Sequence, residues 1–420
     1  MKILIVTETY PPNVKGAALA TARLAQELAY HGHDISVIAP STSFKNYKTK
    51  KGNLTVYRLR SIIVQKKHQF RVSPQPFHAR EFREIVKEVK PDIMHINNPG
   101  FLAQTAISIS SQLHIPIVGT SHFMPENITH YLHLPDQIEK LLNTSIWKIY
   151  AKFYEKLNLI ISPTQTAADL LKKLIVGTEV EVISNGIDLK RFNPKNDGEY
   201  LKKKYKIPQK PTLLFVGRLD KEKCLDTFIR AIAIIQDKVD LHAVIAGKGK
   251  EEKKLRELAE ELGVSSLITF TGYVPEKDLQ NLYKVGDIFV MPSIAELQSL
   301  VTMEAMASGL PIIGADAVAL PHLIHNEQNG FLFIPQDEND LADKLLRLLQ
   351  DEKLREKMAA ESLHAIKKHD MKKTIEKIEK AYTRVIEVYR KNLVKKPGKN
   401  DVLKRIELNF RKFMPQELSS

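Results

Sequence analysis

The chain predicts an α/β architecture of two doubly wound, Rossmann-like parallel-sheet domains with a cleft between them, and three observations carry that prediction. Short apolar runs of strand length alternate with amphipathic stretches of helix length through most of the sequence. The rhythm breaks at a polar, lysine-rich stretch over 195–209 and then starts again. At 420 residues with 43% hydrophobic side chains, the chain is too long for one core and suits two.

In the first half the strand-like runs are Lys2–Val6, Ile35–Ala39, Asp92–Ile96, Ile115–Thr120, Leu159–Ser162 and Val180–Ile183, each too short and too uniformly apolar for a surface helix. Helical spacing is read at Ala17–Tyr30, Ala79–Lys87 and Ile146–Leu157. Asn185-Gly186 is a turn signal after the last of these strands and marks the junction. The second half repeats the pattern with strands at Thr212–Val216, Leu241–Ala246, Leu267–Thr271, Asp287–Met291 and Pro311–Gly314, and a short edge candidate at Gly330–Phe333. Leu341, Leu345, Leu348 and Leu349 then share one helical face, and Lys372–Lys391 is long enough to cross an inter-domain cleft. After Pro397-Gly398, Val402, Leu403, Ile406, Phe410, Phe413 and Met414 line one face of a last basic helix, the composition either of a membrane-surface helix or of one docked on its own protein. The divisions are 1–190, 191–371, a crossing helix at 372–392 and a basic amphipathic tail at 393–420.

Composition removes several classes. A single cysteine, Cys224, rules out a disulfide framework and a cysteine metal site, and fits a cytoplasmic protein. The N-terminus lacks a signal-peptide pattern, and no run approaches ~18 apolar residues. The net charge of +14 divides as +8 over 1–190, +1 over 191–390 and +5 over 391–420. That excess either aids solubility or attracts an anionic surface, lipid or nucleic acid. A nonenzymatic nucleic-acid-binding role is disfavoured, because no binding module and no interleaved stacking aromatics accompany the charge.

The residues that carry chemistry fall at carboxyl ends of predicted strands, where open α/β sheets bind ligands. Glu296 lies in the loop after Asp287–Met291 and Glu304 in the helix that follows, with the amides of Ser299, Leu300 and Val301 between them at the positive helix end. Carboxylates there can hold sugar hydroxyls while amides hold an anion. Arg218 and Lys223, just past another strand, can grip a diphosphate; taken alone they are also ordinary surface cations. His122 closes Ile115–Thr120, where an imidazole either bonds a sugar hydroxyl or is structural. Gly16 opens a helix after the first strand and permits a close backbone approach, as does Gly247 after a later one. Tyr273 and Val274 follow the next strand and can shape a nucleotide pocket beside Arg218. No G-x-G-x-x-G loop supports hydride transfer, no P-loop is present, and no D-x-D triplet or carboxylate cluster near His130 and His133 offers a metal site.

Gly217-Arg218 with Lys223, Glu296 through Glu304 followed by Ala305-Met-Ala-Ser-Gly-Leu-Pro311, and Asn185-Gly186-Ile-Asp188 with Arg191-Phe192 form a set that resembles the retaining GT-B glycosyltransferases. That family includes phosphatidylinositol mannosyltransferases, diacylglycerol glucosyltransferases and sucrose-phosphate synthases, and the similarity spans nearly all of 1–390. The resemblance implies an acceptor-side first domain and a nucleotide-sugar-binding second domain. It implies that Arg218 and Lys223 bind the donor diphosphate, Glu304 the ribose and Glu296 the transferred sugar, with amides near Ser299, Leu300 and Val301 assisting. His122 matches the histidine that contacts the sugar, and Gly16 the glycine facing the diphosphate. The chain departs from the pattern at Lys15 before Gly16, at Cys224 in place of glycine, and at Leu297-Gln298-Ser299 in place of the commoner x-Phe-Gly. The Gln298 variant is similar to diacylglycerol glucosyltransferases. The implied activity is hexose transfer from a nucleotide-diphosphate sugar, without metal or other cofactor, to a lipid such as diacylglycerol at an anionic membrane surface, peripherally on the inner face of the cell membrane. A soluble saccharide or polysaccharide precursor is the alternative acceptor.

Overall fold

The computed structural model describes residues 1–13, 16–65, 70–122 and 136–395. Lys15, His130, His133 and the expected helix over 401–414 lie outside them.

The first lobe is built on β1 (Lys2–Thr7), α1 (Gly16–Tyr30), β2 (Asp34–Pro40), β3 (Tyr47–Lys51), β4 (Leu54–Leu59), β5 (Ile62–Gln65) and β6 (Phe70–Val72). It continues through α2 (Gln75–Val89), β7 (Ile93–Asn97), α3 (Phe101–Leu113), β8 (Ile117–Thr120), α4 (Asp136–Tyr154), β9 (Leu159–Ser162), α5 (Gln165–Leu174) and β10 (Val180–Val182). The main sheet runs β10-β9-β8-β7-β1-β2-β4-β3, parallel except for β3, so the strand order reverses direction between β1 and β7. That reversal leaves a crevice at the carboxyl ends of β1 and β7. Buried side chains cover both sheet faces, Ile3, Ile5 and Ile93 toward α1, and Leu4, Met94 and Ile96 toward α2 and α3.

The second lobe comprises α6 (Glu199–Tyr205), β11 (Thr212–Val216), α7 (Leu225–Ile235), β12 (His242–Ala246), α8 (Glu252–Glu261), β13 (Ile268–Gly272), α9 (Glu276–Leu282) and β14 (Ile288–Met291). It ends with α10 (Leu300–Ala307), β15 (Ile312–Ala315), β16 (Gly330–Phe333), α11 (Glu338–Gln350) and α12 (Glu352–Ile366). Its sheet is wholly parallel in the order β13-β12-β11-β14-β15-β16, with the reversal between β11 and β14. Both faces of the inner strands are covered, which is why β11, β14 and β15 are nearly continuous buried runs, whereas the edge strand β13 alternates apolar and polar residues and is mostly half-buried.

The chain crosses between lobes twice. Ile187 N–H donates to the His369 carbonyl at 2.8 Å and Met371 N–H donates to the Ile187 carbonyl at 2.9 Å, so the outgoing and returning segments pair. Gly186, at φ +74, has no room for a Cβ, which would meet the Met371 sulfur at 2.9 Å. The returning helix α13 (Met371–Lys395) packs Met371, Ile375, Ile378, Tyr382 and Ile386 into the first lobe's core beside Ile3 and Ile5.

Beyond the sequence expectations, the structure adds β3, β4, β5 and β6. The second-lobe strands fall within a residue or so of their expected bounds.

Candidate active site

The loops after β11 and β14 meet at the second lobe's strand reversal. After β14 the backbone leaves the sheet and Ser299 caps α10, its hydroxyl accepting from the Thr302 N–H at 3.4 Å. Ser299 sits at φ −79, an ordinary conformation, so this position does not require the glycine that the family commonly carries. The first amides of α10, at Leu300 and Val301, lie where a helix has no internal acceptors for them. Glu296 stands just before this helix start, and its carboxylate forms a close ion pair with the Lys223 ammonium from the β11 side. Each side chain is only 12% exposed, so the pair is largely removed from water. The structure thus joins Lys223 and Glu296, 73 positions apart in sequence, into one unit.

Arg218 is arranged differently. It pairs with Asp220 and, at 2.7 Å, with Glu222, while its own side chain is 48% exposed. Both carboxylates are buried; the Asp220 carboxylate also accepts from the Lys250 N–H at 3.2 Å, and the Glu222 backbone is anchored where its carbonyl accepts from Ser293 Oγ at 3.1 Å and the Ile294 N–H at 3.1 Å. Arg218 is therefore a half-exposed guanidinium braced from behind. Cys224 takes φ +47 between the turn that carries Lys223 and α7, which explains why glycine is common there in the family. Gly247, at φ +142, would place a Cβ 1.7 Å from the Gly217 carbonyl oxygen, so the loops after β11 and β12 touch through backbone. Gly247 N–H donates to the Gly272 carbonyl at 2.9 Å, which brings in the next loop, where Tyr273 is 53% exposed and Val274 is buried.

Glu304 lies on α10 and is almost fully buried. One of its oxygens accepts from Arg23 of α1 at 2.8 Å and the other from the Tyr283 hydroxyl at 2.6 Å. Burial opposes the Arg23 charge, but the Glu304 carboxylate, together with Glu276 at 3.8 Å and Tyr283, more than offsets it and raises the Arg23 pKa. Burial, reinforced by the same carboxylate, raises Tyr283 well above the usual phenol value. Sequence reasoning missed both partners. Arg23 is a single cation in the Ala-rich segment Ala-Thr-Ala-Arg-Leu-Ala, and nothing local shows that it reaches the other lobe.

Gln298 is also placed unexpectedly. It is buried at the lobe junction, where Oε1 accepts from the Asn185 N–H at 2.8 Å and Nε2 donates to the Pro163 carbonyl at 3.1 Å and Ser184 Oγ at 3.0 Å. Thr164 Oγ1 adds a bond to the Leu297 carbonyl at 3.0 Å. Its amide holds the lobes in register and bonds backbone and serine groups of the junction.

On the first lobe, Gly16 is the first residue of α1 with open space where a Cβ would go, and His122 follows β8 directly. Burial pushes the His122 imidazole down to about 4, so it is neutral at ordinary pH and able to donate one hydrogen bond and accept another. Among the described residues no group of three His, Cys, Asp or Glu is placed to hold a metal ion.

Two parallel-sheet lobes, each presenting its strand reversal to the other, with an ion-paired carboxylate and a helix start in the second, define a GT-B glycosyltransferase. Residues 14–191 match glycosyltransferase family 4 and residues 197–364 match glycosyl transferases group 1, and the chain belongs to these glycosyltransferases. It is similar to the alpha-monoglucosyldiacylglycerol synthase of Streptococcus pneumoniae, 29% identical over 388 residues that cover 89% of this chain and 84% of the relative. It is also 30% identical to the sulfoquinovosyl transferase SQD2 of Arabidopsis thaliana over 77% of this chain and 63% of that protein. In fold it matches the sucrose-phosphate synthase from Thermosynechococcus elongatus with a TM-score of 0.77 at 18% identity, covering 92% of this chain and all of that one.

Proposed function

We propose that this glycosyltransferase moves a hexose from a nucleotide-diphosphate sugar to the hydroxyl of a membrane lipid such as diacylglycerol, with the anomeric configuration retained and without a metal ion. The observation that carries the reading is the Lys223–Glu296 pair at the head of α10, with Arg218 on the neighbouring turn. Donor binding would exchange the Glu296 partner of Lys223 for a phosphate oxygen and free the carboxylate for sugar hydroxyls. Arg218, Lys223 and the α10 amides would then face the charge that grows on the leaving diphosphate. In the transfer, the bond from the anomeric carbon to the diphosphate breaks and the bond to the acceptor oxygen forms on the same face. The acceptor proton leaves with the diphosphate. Neutral His122 would hold a sugar hydroxyl from the opposite lobe, and lobe closure would exclude water.

The lipid acceptor is supported by similarity over most of the chain to a relative named for a glucosyldiacylglycerol. The first lobe adds a fitting surface: Ile138, Leu141 and Ile149 of α4 are 52%, 69% and 67% exposed, beside exposed Lys148 and Lys152. Apolar side chains flanked by lysines suit the boundary of an anionic bilayer. Among the described residues no helix is long and apolar enough to cross a membrane, so the attachment proposed is peripheral.

The test is a screen of nucleotide sugars against dioleoylglycerol in anionic vesicles, with and without EDTA, and with the product's anomeric linkage read by NMR. Transfer that survives EDTA and retains configuration is the expected result. Transfer only to soluble saccharides overturns the lipid acceptor, an inverted linkage overturns retention, and abolition by EDTA overturns metal independence.

A further inference from the structure

A cavity of about 430 Å³ lies where the chain leaves the second lobe to return to the first, and none of the residues that line it belongs to the donor site. Volumes of about 300–1,000 Å³ are usual for small-molecule sites. Four segments build the wall: His325 and Gln328 stand on the turn between β15 and β16, His364 on α12, Lys367 and Lys368 on the link from α12 to α13, and Lys373 on the first turn of α13. The backbone behind them is fixed. Asn329, 1% exposed, accepts the His325 N–H at 2.7 Å through Oδ1 and donates from Nδ2 to the Leu323 carbonyl at 3.0 Å, while its own carbonyl accepts from Ser362 Oγ of α12 at 3.2 Å. The link is held by the Ile187–His369 backbone pairing, and the segment before the turn reaches the first lobe through a close contact of His322 with Thr166 of α5.

The side chains facing this cavity are unpartnered. Among the described residues none of His325, Gln328, His364, Lys367, Lys368 and Lys373 makes a side-chain hydrogen bond or ion pair. Glu361 of α12 also lines the cavity and pairs with none of the lysines, so the charges face a gap and not each other. Three ammonium groups against that one carboxylate leave +2 with both imidazoles neutral. Like charges gathered around a gap repel unless an anion separates them. Burial lowers the His325 pKa, and Lys368 and His322 lower it further. Lys373 is also opposed by its own helix, whose positive end disfavours a cation and whose first turn holds no acidic residue.

We propose that this cavity is a second anion site, separate from the donor site, which binds a phosphate monoester between Lys368 of the link, Lys373 of α13 and the turn at His325. The charge of a monoester near pH 7, about −1.5 to −2, matches the +2 of the wall. Ammonium and imidazole donors that have no acceptors of their own suit phosphate oxygens, and Gln328 and Glu361 can take hydroxyls on the organic part. Because α13 completes the first lobe's core and the turn belongs to the second lobe, the bound group ties the lobes together at their crossing. The inference stands apart from the choice of acceptor. A soluble phosphorylated metabolite and a lipid headgroup share this chemistry, and the experiment separates them.

Calorimetry on the full chain tests it, with glycerol 3-phosphate as the soluble monoester and dimethyl phosphate as a monoanionic diester. Sedimentation with phosphatidylcholine vesicles, with and without phosphatidate, tests the headgroup. The variant carries Lys368→Gln and Lys373→Gln together, and Lys223→Met controls for phosphate bound at the donor site. We expect glycerol 3-phosphate to bind the parent and Lys223→Met alike, dimethyl phosphate to bind at least about tenfold more weakly, and the double variant to lose about tenfold or more in monoester affinity. Nucleoside diphosphate affinity of the double variant should stay within about twofold of the parent, which also shows that it is folded. If glycerol 3-phosphate does not bind but the parent prefers phosphatidate vesicles and the double variant loses that preference, the site stands and its ligand is a lipid headgroup. Monoester affinity that is undiminished in the double variant, that disappears in Lys223→Met, or that the diester equals would each overturn the site. So would a parent that binds no glycerol 3-phosphate and whose vesicle binding is indifferent to Lys368 and Lys373.

Discussion

Lys223 and Glu296 form the smallest unit on which the proposed chemistry depends, and their burial makes their loss asymmetric. Truncating either one leaves the other charged and nearly dry, which costs more than the pair contributes. Lys223→Met and Glu296→Gln are each expected to lower kcat/KM by about 100-fold or more, roughly 3 kcal/mol of transition-state stabilisation. The double variant should regain most of the melting temperature lost by the singles while staying inactive; a double variant as unstable as the sum of both singles contradicts the pairing. Glu8 gives a second prediction at this scale. Burial raises its carboxyl to about 7 from 4.5, even though two α3 amides pull it the other way. Because the folded form holds its proton to higher pH than the unfolded chain does, stability falls as pH climbs from about 4.5 to about 7. Above that window the deficit is on the order of 3 kcal/mol. Glu8→Gln should therefore melt at a higher temperature than the parent at pH 8 and at nearly the same temperature at pH 4.5; a pH-independent gap would show that Glu8 does not titrate there.

The elements most legible in the sequence are those whose pattern is local. β11 and β16 fall where their apolar runs stand, and the helix start at Ser299 follows from the loop that precedes it. β3 is the opposite case: all five residues of Tyr-Lys-Thr-Lys-Lys are exposed, so no alternation marks it, and it is a strand only because β4 pairs with it. Its lysines also blunt the open edge of the sheet. The site divides the same way. Each strand-end motif could be located on its own, but the partners that cross lobes, such as Arg23 with Glu304 and Gln298 with Asn185, are made by packing and leave no local trace. The exposed face of α4 yields a prediction at this level. Changing both Leu141 and Ile149 to Glu should reduce sedimentation with anionic vesicles severalfold while the fold, read by circular dichroism, is unchanged; undiminished sedimentation would remove α4 from the membrane contact.

At the scale of the molecule, the lobes are held by the paired crossing at Ile187 and Met371 and by the Arg23–Glu304 bridge. If Glu304 receives the donor ribose, Arg23 must yield an oxygen it now holds, so nucleotide entry and this contact compete. Arg23→Met should lower the intrinsic melting temperature, since the loss of one partner of a buried pair costs about 3–5 kcal/mol. It should also enlarge the stabilisation given by a nucleoside diphosphate, as measured by thermal shift; an unchanged or smaller ligand-induced shift would show that Arg23 does not compete. The double crossing has a further consequence for anyone who cuts the gene. Because α13 returns to finish the core of the lobe that begins the chain, a single scission near residue 190 yields one fragment stripped of its own wall and another trailing an unpaired greasy helix. Autonomous halves would require grafting 371–395 back onto the leading piece, or a permuted chain whose new ends fall elsewhere.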